Sequence, residues 1–279
     1  MNKPHLYSIS NGLATFGSDA IQLMSKLDGL FLKLADDVNA DYAVFPPLMK
    51  VNDLNNLDYF VNFPHLGLSV SSLTDEACNC MTSHHEQVEK ISNQDIKESG
   101  YMLPSAACYN VYLSLRDQAF DHVKYYTTIA RCFRNESEYN DLRRLWSFQM
   151  REIICIGQME EVQDFLSIYK KKILTFAEHL GIEFEVEVAT DPFYDKQGTK
   201  ALIQKLQPVK EELVFNRTTS IASINFHRNF FGDRCNITNS KGEVLFSGCV
   251  AFGIERWLHA LLETHNQDVE MIMRKLDNV

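Results

Sequence analysis

The sequence predicts an α+β fold built on an antiparallel sheet with helices on its flanks. Segments of strand-like composition follow one another along the chain, and helices are expected only at intervals between them. Two of these segments are separated by a polar loop, as in a long antiparallel hairpin. Neither G-x-G-x-x-G nor a Walker A sequence is present, which argues against a doubly wound parallel sheet.

The N-terminal part of the chain predicts one long helix and one interrupted strand. Residues 19–36 carry apolar side chains at helical spacing, so an amphipathic helix is expected there. The extended stretch 41–51 contains Pro46 and Pro47. Because proline lacks the N–H that a central strand must donate, this stretch is expected at a sheet edge or a strand end.

The remaining elements follow from the same patterns. Helices are expected at 84–97 and 105–116, and the two hairpin strands at 127–134 and 147–157. Further along the chain we expect a helix at 159–180, strands at 182–188, 211–216, 219–227, 233–238 and 242–250, and a last helix over 252–264.

Composition narrows the class of protein. The chain has 279 residues, 45% of them hydrophobic, and a net charge of −10. These values are typical of a globular protein, and the acidic excess argues against a broad nucleic-acid surface. No apolar run is long enough to span a membrane, and the N-terminal residues lack a secretion signal. A cytoplasmic protein with one domain over residues 1–279 is therefore expected.

The segment 133–148 carries side chains suited to a nucleotide. Arg134 and Glu136 lie two residues apart, so they share a face if the strand continues through them. The arginine can bind a phosphate or carboxylate, the glutamate can accept from an exocyclic amine, and Phe148 can stack on a purine. A surface salt bridge beside a core phenylalanine is the alternative, and the pattern alone leaves it open.

A second segment joins a strand that ends at Gly253 to a helix with Arg256 in its first turn. An arginine beside the positive end of a helix dipole is electrostatically unfavourable unless an anion lies nearby. Arg256 is therefore a candidate ligand for the γ-phosphate of ATP, with a solvated helix arginine as the alternative.

Taken in order with the first helix and the proline-containing stretch, these segments resemble the three signature motifs of class II aminoacyl-tRNA synthetases. The resemblance covers nearly the whole chain and implies a homodimer formed through the first motif. It implies that Arg134 holds the α-phosphate and the amino-acid carboxylate, and that Arg256 holds the γ-phosphate. Glu136 would contact adenine and Phe148 would stack on it. An acidic residue is found in the region of Glu243 in that family, so Glu243 is a candidate ligand for Mg²⁺.

The cysteines suggest a metal. Seven are present, an odd number in a chain that is not a small secreted domain, so a disulfide framework is not expected. Cys108, Glu152 and Cys249 lie near the motifs in separate segments, and this ligand set suits a zinc ion with one open position. From the residues alone, each thiol can equally be a small buried apolar group, and Glu152 can pair with an arginine.

A closer resemblance is to the amino acid:[carrier protein] ligases, which are shortened relatives of the zinc-dependent atypical seryl-tRNA synthetases. It is carried by LPSAACYNVY, FQMREIICIG, TDPFY, INFHRNFFG and SGCVAFGIERW. Both groups carry Cys, Glu and Cys at matching places, which implies a zinc site at Cys108, Glu152 and Cys249. Cys235 is a rival ligand at a place where the family has none, and His227 matches the family without a role that we can assign.

A further group of possible ligands lies outside these motifs. Cys78 and Cys80 precede His84 and His85, but their spacing is not that of a standard zinc site. Side chains without a metal are the preferred interpretation.

The favoured hypothesis is an enzyme that activates a small amino acid, glycine or alanine by resemblance, with ATP. The aminoacyl group would pass from the adenylate to the phosphopantetheine thiol of a carrier protein, which can dock on the run 170–172 or on Arg143 and Arg144. tRNA aminoacylation is the second hypothesis, disfavoured because the core fills nearly the whole chain and leaves no appended tRNA-binding domain. A non-catalytic regulator is the third, disfavoured because the motif residues are all present.

Overall fold

The computed structural model describes residues 6–84, 88–195, 197, 198, 202, 204 and 206–279. Within these residues the strands are β1 (Tyr7–Ser10), β2 (Leu13–Phe16), β3 (Asp41–Ala43), β4 (Met49–Lys50), β5 (Ser69–Leu73), β6 (Ile96–Met102), β7 (Lys124–Phe133), β8 (Ser147–Gly157), β9 (Phe184–Val188), β10 (Lys210–Phe215), β11 (Thr219–Arg228) and β12 (Phe246–Gly253). The α-helices are α1 (Ser18–Asp36), α2 (Val51–Asn56), α3 (Tyr59–Asn62), α4 (Asp75–His84), α5 (Tyr109–Ser114), α6 (Met159–His179), α7 (Phe230–Cys235), α8 (Ile254–Thr264) and α9 (Val269–Asp277). Short 3-10 turns occur at Pro64–Leu66, Asn93–Asp95 and Asp141–Arg143.

A seven-stranded sheet in the order β3-β7-β8-β12-β11-β10-β9 organises the fold. Its neighbours are antiparallel, except that β3 runs parallel to β7 at one edge. β7 and β8 form the long hairpin that the sequence predicts. The predicted α+β class with an antiparallel sheet is confirmed, and β3 lies at an edge, as the prolines after it require. Two smaller sheets, β1-β2 and β4-β6-β5, lie outside the main sheet.

Aromatic side chains fill the layer between one face of the sheet and the helices α1, α6 and α8. Phe31 of α1 stacks on Phe252 of β12 with ring centroids 4.1 Å apart. Trp257 of α8 meets Phe176 of α6 edge to face at 5.4 Å. Such pairs add to the free energy of simple burial and hold the helices in place on the sheet. The opposite face of the sheet is left for α5, α7 and a cavity.

The two longest helices follow the predictions closely. α1 and α6 begin and end within a residue of their predicted bounds. α6 buries Val162, Phe165, Tyr169 and Ile173 at helical spacing, as its apolar pattern indicates. Gly181 follows its end at φ +73°, a conformation that suits glycine at that position. None of the helices in the described part of the chain is long and apolar enough to cross a membrane.

The predicted helix 84–97 is wrong. The helix here is α4, which ends at His84, and the chain then enters strand β6 at Ile96. Residues 88–95 supply Val88 and Ile91 as large apolar side chains, and both are about half exposed. Without a buried apolar face a helix has little to stabilise it, whereas β6 gains two pairing partners, β4 and β5.

Two other elements differ from their predictions. The helix expected at 105–116 is the shorter α5, and the Ser105 carbonyl accepts a hydrogen bond from the Arg134 side chain before that helix begins. The strand expected at 233–238 is wrong, because α7 covers 230–235. Phe231 and Cys235 are one helical turn apart and both are buried in the same apolar cluster, which favours a helix.

The C-terminal helix α9 was not predicted. Its N-terminus is capped by Asp268, whose side chain accepts the N–H of Met271. Ile272 and Leu276 are fully buried one turn apart, and the partly buried Val269 and Met273 pack against the same core. These four residues follow helical spacing, so the local pattern does indicate a helix that the sequence analysis missed.

Candidate active site

Strand register brings the candidate residues onto one face of the sheet. Glu152 of β8 lies opposite Ala251 of β12, which in turn lies opposite Ser223 of β11. Cys249, two residues before Ala251, therefore points to the same side as Glu152. Residues that are 28 to 99 positions apart in the chain become neighbours in this way. The same face carries Asn225, Lys210, Glu212, Met150 and Phe148 by the same register.

Cys108, Glu152 and Cys249 form a buried cluster. Each offers one ligand atom, and the three atoms lie within 4.8 Å of one another. Cys108 comes from the turn before α5, and this turn is held to the sheet because the backbone N–H groups of Ala107 and Cys108 donate to Glu152 Oε1, at 3.0 and 3.2 Å. No other group of this kind is found among the described residues, so the predicted Cys, Glu, Cys set does come together.

The chemistry of this cluster fits a cation. Glu152 Oε2 is buried and has no hydrogen-bond partner among the described residues, which leaves part of a carboxylate uncompensated. Cys249 as hydrogen-bond partner, burial and the charge of Glu152 hold the pKa of Cys108 well above its usual range. The hydrogen bond from Cys108 lowers the pKa of Cys249, but burial and Glu152 outweigh it. A divalent metal reverses this balance by stabilising both thiolates and the free carboxylate oxygen.

His227 and Asn225 surround Cys249 from the neighbouring strand. Asn225 Nδ2 lies 3.4 Å from Cys249 Sγ, and His227 Nε2 lies 3.7 Å from it. The other ring nitrogen of His227 is 3.1 Å from the Tyr112 hydroxyl. Burial lowers the pKa of His227 to about 4, so its imidazole is neutral at pH 7. His227, for which the sequence suggested no role, thus contacts the sulfur of one of the three clustered residues.

Arg134 and Phe148 lie together beside this cluster. The Arg134 guanidinium lies over the Phe148 ring, 5.1 Å from its centroid, and Nε donates to the Ser105 carbonyl at 3.0 Å. Arg134 follows β7 and Phe148 opposes Cys132 of that strand, so the hairpin itself produces the contact. This arrangement places a cation over one face of an aromatic ring.

Arg256 lies in the first turn of α8 and is held by two carbonyl groups. Its Nε donates to the Arg143 carbonyl at 2.8 Å, and Nη1 donates to the Ser220 carbonyl at 3.0 Å. Burial, with the nearby Arg134, lowers the pKa of Arg256 to about 10, so the side chain keeps its charge. No carboxylate within the described ranges forms a salt bridge with it, so its positive charge is available to an anion.

Two adjoining cavities contain these side chains. The larger one encloses about 450 Å³ and includes Cys108, Glu152 and Cys249 in its wall. This volume is in the range of small-molecule sites. The smaller cavity is lined by, among others, Arg134, Glu136, Phe148 and Arg256. Five residues line both cavities: Arg134, Met150, Lys210, Ser223 and Ala251.

The position of Glu243 contradicts its expected role as a ligand for Mg²⁺. It lies in the turn before β12, where Asn239 Nδ2 donates to its carboxylate at 2.7 Å, and it lines neither cavity. β12 is eight residues long and separates this turn from Gly253 at the other end of the strand. The candidate Mg²⁺ ligand is therefore at the wrong end of β12 to reach a phosphate beside Arg256.

The other candidate ligands do not join the cluster. Cys235 is buried in α7, where burial raises its pKa to about 11, and it is not part of the ligand group. Cys78 and Cys80 are exposed on α4. The side chain of His84 and the whole of His85 lie outside the described residues.

The candidate docking residues are largely paired. Within the run 170–172, Lys170 pairs with Glu211 at 2.7 Å and Lys172 pairs with Asp37 at 2.6 Å. Arg144, which lines the smaller cavity, pairs with Glu138 at 2.9 Å. These ion pairs neutralise much of the positive charge that was expected to attract an acidic partner.

Sequence reasoning missed a charged group in the cavity wall. Lys210 lies 3.0 Å from Glu212 and 3.4 Å from Asp191, and it lines both cavities. Asp191 belongs to the segment TDPFY, which was noted for its resemblance and not for its charge. Nothing in the local pattern around Lys210 distinguishes it from a surface lysine, because its position depends on the pairing of β10 with β11.

Comparison with known proteins agrees with this geometry. Residues 88–265 match the family described as the tRNA synthetase class II core domain (G, H, P, S and T). Amino acid–[acyl-carrier-protein] ligase 1 of Bradyrhizobium diazoefficiens is 33% identical over 245 residues, which cover 84% of this chain and 74% of that protein. The type-2 serine–tRNA ligase of Methanopyrus kandleri is 28% identical over 63% of this chain and 37% of its own length.

The fold has solved counterparts. The M. kandleri seryl-tRNA synthetase, in a crystal structure with A. aeolicus tRNASec, superposes with a TM-score of 0.83 at 22% identity. The match covers 97% of this chain and 57% of that one, so this chain spans little more than half of that synthetase. The match of the core family over most of the chain, together with the 33% identity, shows that the chain belongs to the amino acid–[acyl-carrier-protein] ligases, within the class II tRNA synthetase core family.

Proposed function

We propose that this chain is an ATP-dependent ligase that activates a small amino acid and transfers it to the phosphopantetheine thiol of a carrier protein. The name of the relative in B. diazoefficiens supports an amino acid and a carrier protein as substrates. Glycine or alanine is the amino acid that the family resemblance implies. The protein would work in the cytoplasm as a homodimer formed through α1 and β3.

One observation carries the proposal. The buried cluster of two cysteines and a glutamate lies in a cavity that adjoins a second cavity lined by Arg134, Glu136, Phe148 and Arg256. The first cavity suits a metal ion that binds the amine of the substrate, and the second cavity suits a nucleotide. An amino acid and ATP bound there would meet at the shared wall, where adenylate formation requires them to meet.

Cys108, Glu152 and Cys249 would hold zinc. Zinc with these three protein ligands keeps one coordination position open and would bind the α-amino group of the substrate. Selection for a free α-amino group would follow from this arrangement. Mg²⁺ would accompany ATP, and the structure provides no support for Glu243 as its ligand.

The chemistry then has two steps. A carboxylate oxygen of the amino acid attacks the α-phosphorus of ATP, the bond to the bridging oxygen of the β-phosphate breaks, and pyrophosphate leaves. The thiol sulfur of phosphopantetheine next attacks the acyl carbon of the adenylate, AMP leaves, and the thiol proton passes to solvent. Arg134 and Arg256 supply positive charge where negative charge develops on the phosphates. No nucleophile from this chain is required.

Amino-acid-dependent exchange of pyrophosphate into ATP tests the first step. We would assay all twenty amino acids and measure the zinc content of the same sample. Exchange with one or two small amino acids, on protein with about one zinc per chain, is the expected result. Folded, zinc-loaded protein that exchanges with no amino acid would overturn the proposal and favour a non-catalytic regulator.

Transfer of labelled amino acid tests the second step. We expect label to move onto a carrier protein that bears phosphopantetheine, with the same carrier protein lacking the arm as the matched control. Bulk tRNA is the alternative acceptor. The similarity to the M. kandleri serine–tRNA ligase favours it, while the net charge of −10 disfavours it. Label on tRNA and not on the carrier protein would make tRNA aminoacylation the function.

A further inference from the structure

The wall shared by the two cavities contains two cations. Arg134 follows β7, and Lys210 is the first residue of β10. Three strands, β8, β12 and β11, lie between β7 and β10 in the sheet. Between the two cations the shared wall is made of Met150, Ser223 and Ala251. The junction is therefore an uncharged floor between Arg134 on one side and, on the other, Lys210 with the two carboxylates that pair with it.

Lys210 is held in this position by two carboxylates. Its Nζ donates to Asp191 Oδ1 at 3.4 Å, on the side of the larger cavity, and lies 3.0 Å from Glu212 Oε1, on the side of the smaller one. An ammonium group has three N–H donors, so these two contacts leave capacity for a third acceptor. Burial lowers the pKa of Lys210, but the charges of Asp191 and Glu212 outweigh it and keep the pKa above its ordinary value.

We propose that Lys210 binds the α-phosphate of the nucleotide and of the aminoacyl-adenylate, from the side opposite Arg134. This inference rests on the proposed function, which places the amine at the cysteine cluster and the base near Phe148. The bond between the carboxylate and the α-phosphorus then lies over the shared floor. An anion in that position lies between both cations. Lys210 can bind it through the N–H donor that remains after Asp191 and Glu212 are paired, and the affinity for the anion then depends on each cation.

The competing role for Lys210 is to hold Asp191, which follows β9, against the start of β10. The backbone supports that role, since Ala189 N–H donates to the Lys210 carbonyl at 3.0 Å and Gln204 Nε2 donates to Asp191 at 2.9 Å. An anchor works through the ion pair, so removal of either Asp191 or Lys210 would have the same effect. A phosphate ligand works through the cation alone, so the two substitutions would have different effects.

Binding of AMP and of adenosine to the full chain, measured by calorimetry, separates these roles. Lys210→Gln should lower the affinity for AMP by roughly tenfold or more, because a charged hydrogen bond is lost. Its affinity for adenosine, which has no phosphate, should stay the same. Asp191→Asn breaks the same ion pair but keeps the cation, so it should not weaken AMP binding.

Lys170→Met is the matched control. Lys170 pairs with Glu211, also on β10, but from α6 on the opposite face of the sheet. It therefore reports the loss of a lysine–glutamate pair on this strand without a change in the cavity. If Lys210→Gln does not fold, the double variant Lys210→Gln with Glu212→Gln replaces it, because the double variant no longer buries the Glu212 carboxylate without its cation. The AMP affinity of the double variant is then compared with that of Glu212→Gln alone.

Three results would overturn the inference. The first is an unchanged affinity for AMP in Lys210→Gln, and the second is an equal loss of AMP and adenosine affinity in that variant. The third is the same loss of AMP affinity in Lys210→Gln and Asp191→Asn. Each result can occur while the unsubstituted chain still catalyses amino-acid-dependent pyrophosphate exchange. Failure of this inference is therefore distinct from failure of the proposed function.

Discussion

Glu152 shows how one buried side chain connects local structure with chemistry. One carboxylate oxygen accepts the N–H groups of Ala107 and Cys108 and so fixes the turn that carries the first cysteine. The other oxygen is buried without a partner among the described residues. The same carboxylate thus holds the turn in place and contributes a free ligand atom, which is the arrangement expected of a metal ligand that is also a structural residue.

Cys108→Ala should remove the metal. Two protein ligands remain, and they bind zinc much more weakly than three, so the zinc content should fall from about one per chain to a small fraction of that. Metal analysis of the purified protein measures this. Cys78→Ala is the matched control, since Cys78 is exposed on α4. A full complement of zinc in Cys108→Ala would exclude this cysteine as a ligand.

Arg134→Ala should abolish adenylate formation. The substitution removes the cation at the junction of the two cavities, and a loss of roughly a hundredfold or more in pyrophosphate exchange is expected. Zinc content and thermal stability should show that the chain is folded. Arg217, 84% exposed in its side chain, provides a control substitution to alanine. Normal exchange in Arg134→Ala would contradict the role that we propose for it.

Among the elements, β8 and α8 are joined by a carboxylate that the proposed chemistry does not use. Glu255 of α8 is 1% exposed, and both of its oxygens accept the N–H of Gln149 on β8, at 2.8 and 3.0 Å. Burial raises the pKa of Glu255 from 4.5 to about 7, although the hydrogen bonds from Gln149 oppose the shift. This contact fixes the helix that carries Arg256 relative to the strand that carries Phe148.

The shifted pKa predicts a pH-dependent stability. Between pH 4.5 and about 7 the folded chain keeps the Glu255 proton while the unfolded chain releases it. Because the unfolded state binds fewer protons, this group makes the free energy of unfolding fall as pH rises through that window, by roughly 3 kcal/mol in total. Glu255→Gln should flatten this part of the profile, as measured by urea unfolding at several pH values.

A control for this measurement lies on the same helix. Glu263→Gln changes an exposed carboxylate of α8 and leaves the contact between Glu255 and Gln149 in place, so the fall in stability that Glu255 causes should persist in this variant. If the fall persists in Glu255→Gln as well, Glu255 ionises with an ordinary pKa and burial has less effect than we infer.

In the molecule as a whole, both edges of the main sheet expose apolar side chains, and the resemblance to the first synthetase motif distinguishes the edge at β3. β3 forms one edge and β9 the other. At the edge formed by β3, Tyr42 is 56% exposed, and Val44, directly after the strand, is 81% exposed. Exposed apolar side chains beside an open strand edge are typical of an interface, and this edge contains the segment that resembles the first synthetase motif.

Val44→Asp should therefore shift the chain from dimer to monomer. A carboxylate in an apolar interface must be desolvated on association, and this cost lowers the affinity of the two copies for each other. In a symmetric dimer the cost is incurred twice, because both copies carry the substitution. Sedimentation velocity at several concentrations measures the effect. Val188→Asp, at 61% exposure on β9, is the control at the other edge and should leave the dimer intact. A chain that sediments as a monomer without any substitution would contradict the prediction.

The sequence by itself was sufficient for the features that are local. The long helices α1 and α6 follow from apolar spacing within one segment, and the hairpin of β7 and β8 follows from two strand patterns around a polar loop. Arg134 and Glu136 lie after the end of β7, so the expected strand face does not extend through them. The cysteine cluster was less local, because its members are spread over 140 residues. It was identified by resemblance to a family, and spacing alone left other interpretations open.

Only the tertiary structure decided where the remaining residues lie. Glu243 and Lys210 are both charged residues near strands, yet one lies in a remote turn and the other in the wall of both cavities. The segment 233–238 has a strand-like composition, but its N-terminal part is helical because Phe231 and Cys235 pack into an apolar cluster. In each case the outcome depends on pairing and packing with residues far away in the chain, whose contributions to the free energy are absent from any short window of sequence.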